Sequence, residues 1–561
     1  MMSLEAGKVH GLAEQPLAAS ELHRILADHR HASGVDVALI GHVTLPLVLA
    51  RGYRTGHDIP VQVGEVLGFD AFDADAPSYE AVMAGIADTQ PDLTGRSRLV
   101  SNVLFSWAAH SVFIVAGFVM PRMIDRRLGQ DLLGVWDFSW SLVNYFQLVR
   151  ASIGSSVNRY IAKYRAVGDV VAVNRVASSA AFVLGAGGLL VMVLTAILSL
   201  LLPRLFGDRL GPNLHEAQWV VLLLGATMAV QISSSVFNGI LTGCHRWDLH
   251  NINTSGWYAV TAVGMVAALL SGGGLRSLAA VTLVGEVLAA ARRAVLAHRV
   301  CEGLRLRPLL VQWQTVRTLF AFGGKTLIPS VSNLLLNQTT SVLIVAYLGP
   351  AALALYSRPR SLVYQVRTLV NKMAMTLTPT ASSLQSEANR REIGDLAVRS
   401  ARYALYLSLP IVLVLVVFGG PIMRFWMGPC YGNGWLPAVL AVGYLPVLVQ
   451  LPTLSILAGF NAHGRAGIAR FVASLVSVGL SILTLKYLRW GLGGTARAIT
   501  LPLAILNLVD IPRLICRRVG LHMGRYYVAV AVGPVLHTLP FAACLIAARL
   551  ALWTRPLVGL C

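Results

Sequence analysis

The chain has 561 residues, 55% of them hydrophobic and only 13% charged, with a mean hydropathy of +0.65 and a formal net charge of +20. That composition excludes a soluble globular protein of this length. The basic residues lie between apolar runs and do not gather on a polar domain, which argues against nucleic-acid binding.

Residues 1–95 carry five basic and thirteen acidic side chains, whereas residues 96–561 carry 41 and thirteen. This contrast places a boundary at residue 96 and predicts an acidic cytoplasmic extension over 1–95. Its one greasy stretch, Val35–Ala50, is short for a span and is read as a buried element of that extension. Thirteen membrane spans follow, near 100–121, 134–157, 175–203, 217–240, 252–271, 276–297, 321–347, 350–378, 398–418, 435–458, 466–487, 495–514 and 525–548. They group into an N-terminal lobe (96–303), an amphipathic linker (304–320), a C-terminal lobe (321–518) and an extra span with a tail (519–561). Lys and Arg in alternate connections divide 24 to 12, which places the richer side and the N-terminus in the cytoplasm.

An internal echo supports the grouping. LGQDLLGVWDFSWSLV (128–143) aligns with LGPAALALYSRPRSLV (348–363), and PRLFG (203–207) with PIMRFWMG (421–428). The expected fold is therefore all-α and polytopic, with two parallel six-helix lobes around a central cavity plus a C-terminal span.

The helix expected over 350–378 is unusual in its charge. Tyr356, Arg360, Tyr364, Arg367 and Asn371 share one face, and Arg358 lies off it. Each arginine facing hydrocarbon would cost at least ~2.5–3.5 kcal/mol. A hydrated cavity removes that cost, and guanidinium groups suit phosphate oxygens. Arg360 and Arg367 lead the candidate substrate-binding set, joined by Arg358, Arg150, Tyr364, Asn371, Asn337 and Asn144. The intramembrane acids Asp137, Glu286 and Asp510 are too few to neutralise all the basic residues. Asp137 and His110 are the coupling candidates. Polar stripes run along Asp137, Ser141, Asn144, Ser155 and Asn158, and along Ser330, Asn333, Asn337 and Thr340. GAGG (185–188) and SGGG (271–274) lack a Walker lysine and read as a helix contact and a turn. The six cysteines have no ligand spacing, and no catalytic constellation stands out. Neither an enzyme, nor a metal site, nor a cofactor is expected.

Leu128–Val173, with Leu128-Gly129, Gly134–Trp136, Arg159–Ala162 and Gly168-Asp169, resembles the early part of the polysaccharide flippases. These belong to the multidrug/oligosaccharidyl-lipid/polysaccharide exporter (MOP) superfamily. Leu348-Gly349, Tyr356, Thr378-Pro379, Gly459–Arg470 and Gly491–Ala498 extend the resemblance over about 97–518. The front extension and a thirteenth span depart from the family's usual twelve or fourteen. The resemblance implies flipping of polyprenyl-pyrophosphate-linked oligosaccharide across the bacterial inner membrane by alternating access. The expected partners are that substrate and membrane lipids, with polysaccharide polymerase and export proteins as further candidates, and a monomer is expected. The alternatives in the same superfamily are a multidrug or cation antiporter and a peptidoglycan-precursor flippase.

Overall fold

The computed structural model describes residues 96–554, apart from 152, 324–326, 376, 379–380, 382–389 and 461–462. The described residues form a single all-helical compact unit that begins at Arg96. The expectations for residues 1–95 lie outside the described residues.

In chain order the helices of the first half are α1 (Arg96–Leu128), α2 (Gln130–Val143), α3 (Gly154–Ala166), α4 (Val170–Leu210), α5 (Leu214–Ser233), α6 (Ser235–Gly243), α7 (Trp247–Leu270) and α8 (Leu275–Val300). An amphipathic helix, α9 (Trp313–Gly323), buries Val316 and Leu319 and leaves Trp313 exposed. The second half holds α10 (Leu327–Leu334), α11 (Thr340–Leu348), α12 (Pro350–Met375), α13 (Arg390–Met427), α14 (Trp435–Gly459), α15 (His463–Ile482), α16 (Gly491–Ile505) and α17 (Ile511–Val519). A final helix, α18 (Met523–Thr554), packs on α13 and α17.

Among the described residues, seven helical stretches are long and apolar enough to cross a membrane. One of them, Val170–Gly243, contains two of the expected spans: α4 and α5 run antiparallel, tied by Gln218 Nε2 donating to the Ser199 carbonyl at 3.0 Å. The expected spans near 252–271, 276–297 and 350–378 coincide with α7, α8 and α12. These are as long, but polar and charged residues lower their hydropathy below the others. The expected span 134–157 is not one helix. A 3₁₀ turn at Asn144–Phe146 interrupts it, and two separate helical segments follow, Gln147–Ala151 and Gly154–Ala166, so Asn158 lies on a different helix from Asp137.

Small residues set the helix spacing. At Gly188, in the GAGG stretch, a Cβ would fall 2.1 Å from Ser233 Oγ, so α4 and α5 meet almost backbone to backbone. The two Leu-Gly steps of the internal echo share a geometry as well. Gly129 precedes α2 with φ 93° and ψ 166°, and Gly349 precedes α12 with φ 87° and ψ 173°. A side chain is strained at such a φ, which explains glycine at both positions. A second echo, missed in the sequence, is ILTG (240–243) closing α6 and ILAG (456–459) closing α14.

Candidate functional site

α12 stays helical through Pro359, which is buried. Its arginines go to three different environments. Arg358, 7% exposed, reaches α2 and forms an ion pair with Asp137. The approach is possible because Gly134 lacks a side chain: a Cβ there would lie 1.9 Å from the Pro350 carbonyl oxygen. Gln130 Nε2 adds a bond to the Ala351 carbonyl at 3.1 Å. The structure thus brings one substrate-binding candidate and one coupling candidate into a mutual pair that joins the two halves.

Arg360 is half-buried and donates from Nη1 to the Asn337 carbonyl at 3.2 Å. That carbonyl lies in a π-turn, Leu335–Thr339, between α10 and α11. Arg367 lines a small cavity with Asn333, Asn337, Tyr444, Arg470 and Asn507. The cavity, about 20 Å³, has room for roughly one water. Its lining comes from residues 333–511, all in the second half, whereas the sequence placed Arg367 on a gap between the halves. A second π-turn, Leu506–Asp510, supplies Leu506 and Asn507 to the same lining. Arg470 donates to Asn333 Oδ1 at 2.9 Å, and its buried Nε has no partner. Among the described residues, none of Arg360, Arg367 and Arg470 has an ion pair.

The rest of the expected face of α12 is graded. Tyr356 is 1% exposed, Tyr364 is 55% exposed and Asn371 is exposed. Asn144 accepts from Gln147 Nε2 at 3.0 Å, and Arg150 makes a long 3.5 Å contact with Gln147 Oε1. Arg150 also lies within Coulomb range of Arg293 and Glu286, which pair with each other on α8, and Arg293 donates to Ser234 Oγ at 3.0 Å. His110 falls in α1, and its side chain lies outside the described residues.

Sequence reasoning missed Arg470 and Asn507 as part of this group. Arg470 was counted only as a topology signal, and Asn507 sits in an otherwise apolar stretch. Asn333 was visible, since it belongs to the polar stripe that also holds Asn337.

The halves are further tied at the end of α1. Arg122 donates to the carbonyls of Phe425 and Trp426, Trp426 Nε1 donates to the Phe118 carbonyl at 2.7 Å, and the Tyr431 hydroxyl donates to Asp125 Oδ1 at 2.7 Å. Burial and the neighbouring Asp125 carboxylate push the Tyr431 phenol well above its ordinary range, so it stays a donor. Mid-chain, the Tyr145 and Thr339 hydroxyls meet at 2.6 Å.

The described residues thus form a bundle of apolar helices with a buried, arginine-bearing seam, the architecture of a polytopic membrane protein. Comparison with known proteins gives likenesses of sequence model and of fold. Residues 172–440 match the model of a polysaccharide biosynthesis protein family. An inward-facing multidrug-resistance MATE transporter of the MOP superfamily matches with TM-score 0.64 at 14% identity, covering 72% of this chain and 94% of that one. The lipid II flippase MurJ, in an inward closed conformation, matches with TM-score 0.60 at 13% identity, covering 82% and 100%. An outward-facing MATE transporter matches with TM-score 0.55 at 16% identity, covering 76% and 97%. No curated protein matches the chain significantly in sequence. At such identities the structural likeness is one of fold. The chain therefore shares the fold of these MOP-superfamily transporters.

Proposed function

We propose that this protein flips polyprenyl-pyrophosphate-linked oligosaccharide across the bacterial inner membrane, for cell-surface or exopolysaccharide synthesis. Two six-helix lobes, 96–303 and 321–518, alternate access around a central path, with 304–320 as linker and α18 as an added span. One observation carries the reading. Arg360, Arg367 and Arg470 have no carboxylate partner among the described residues, while Arg358 and Arg293 each have one. Unpaired guanidinium groups replace water around a pyrophosphate that plain lipid would not admit. The polysaccharide-biosynthesis match over 172–440 supports the same substrate class.

The contacts joining Arg122, Asp125 and Asp137 to the second half lie at the end that the Lys and Arg count assigns to the outside. The state is therefore read as closed outward. Opening outward requires Asp137 and Arg358 to part. Its pair with Arg358, which opening must break, is the ground for the proposed coupling role of Asp137. Arg150, Asn144, Asn337, Tyr364 and Asn371 are proposed to contact the head group once the lobes separate.

The second reading is a multidrug or cation antiporter, or a peptidoglycan-precursor flippase. The solved structures favour it more than the first, because they are multidrug transporters and a lipid II flippase. Proteoliposomes distinguish the two. The wild type is expected to move labelled oligosaccharide-pyrophosphate lipid, and Arg360→Ala and Arg367→Ala each to slow it about 10- to 100-fold. Transport of lipid II or a cationic dye alone replaces the first reading with the second.

A further inference from the structure

α17 is strongly amphipathic. Ile511, Pro512, Ile515 and Cys516 are buried, while Arg513, Arg517 and Arg518 are exposed. The exposed row faces a hollow of about 530 Å³, which Arg465 near the start of α15 lines from the other side. Among the described residues Asp510 is the one acid in its wall, and four arginines outweigh it by three charges. Arg518 is steadied over the Phe460 ring at 5.8 Å. Arg465, Arg513 and Arg517 have no ion pair among the described residues.

Arg513 and Arg517 also line a neighbouring hollow of about 460 Å³, which continues over Gly520 to Met523 at the start of α18. The two hollows make one basic trough. From its rim, α18 presents Val528, Val532, Val535 and Leu539, all exposed and spaced to lie on one helical face. The basic trough thus sits at the start of a helix whose exposed surface is apolar.

We propose that this trough binds the phosphate-bearing headgroup of a membrane lipid, with the lipid's chains lying along the exposed face of α18. Guanidinium forks match phosphate oxygens bidentately. The trough is of ordinary ligand-site size. The adjoining apolar stripe selects a lipid over a free phosphate, which has no use for it. The site lies outside the Arg360–Arg367–Arg470 group and holds whichever cargo the transporter moves.

The full-length protein in nanodiscs of phosphatidylcholine doped with cardiolipin, read by native mass spectrometry, tests this. Wild type is expected to retain cardiolipin. The triple variant Arg465→Gln, Arg513→Gln, Arg517→Gln is expected to bind it roughly 100-fold more weakly, at about five-fold per arginine. The matching triple lysine variant, which keeps the charge, recovers most of the retention and guards against misfolding as the cause. Displacement of cardiolipin by a polyprenyl pyrophosphate supports the site and identifies its lipid as the polyprenyl type. Equal retention by wild type and glutamine variant overturns the proposal. So does binding of inorganic pyrophosphate with no lipid retained.

Discussion

Along α12 the same side chain meets opposite surroundings. Near its start, Arg358 crosses to α2 and is neutralised by Asp137, 221 residues earlier in the chain. Two residues further on, Arg360 donates to a carbonyl, and nine residues on, Arg367 faces asparagines, a tyrosine and another arginine. A buried pair is costly to break but adds little as a pair. A partly buried guanidinium without a carboxylate carries its cost openly and remains available. The contrast separates an arginine that joins the halves from arginines that have no carboxylate among the described residues.

Removing Asp137 should have the largest effect. Asp137→Asn strands Arg358 and should lower stability by about 3–5 kcal/mol, read from thermal or denaturant unfolding in detergent. Asp137→Leu combined with Arg358→Met should restore most of that loss. A single-variant cost as small as that of Arg470→Met would erase the distinction between joined and free arginines. Next comes Gly134→Ala, which forces a Cβ against the Pro350 carbonyl and should cost about 1–3 kcal/mol. The same change at Gly117, where a Cβ meets nothing within 4 Å, should be nearly silent. Smaller again is Tyr431→Phe, which deletes the bond to Asp125 and should cost about 1–2 kcal/mol. Its more telling readout is labelling of a cysteine introduced near the end of α1, which should become more accessible as the outer contacts loosen. Arg470→Met should fall lowest, within about 1 kcal/mol of wild type or above it, because no acid is left unpaired.

Much of this was legible in the sequence, and what was not has a physical reason. Apolar runs gave the helices, since each buries or presents side chains with a regular period. The paired Leu-Gly steps announced matching helix starts because only glycine accepts their φ. Asn333 and Asn337 were visible as a stripe because they are one turn apart. The 3₁₀ break at Asn144–Phe146 left no such mark, as neither glycine nor proline signals it. Arg470 meets Asn333 across 137 positions, and Arg358 meets Asp137 across 221. Periodicity within one helix says nothing about which distant helix faces it. The count of acids likewise gave the shortage of carboxylates, but not which arginine would receive one.

The π-turns at Leu335–Thr339 and Leu506–Asp510 have a mechanical consequence. Each holds one residue more per turn than the helix around it, and both border the Arg367 cavity. A surplus residue of this kind can migrate along its helix by exchanging one hydrogen bond for the next, rotating the side chains it passes. Asn337 and Asn507 could then swing toward or away from Arg367 while the ends of their helices stay anchored. Among the described residues the π-turns all lie in the second half, where a third spans Leu483–Tyr487.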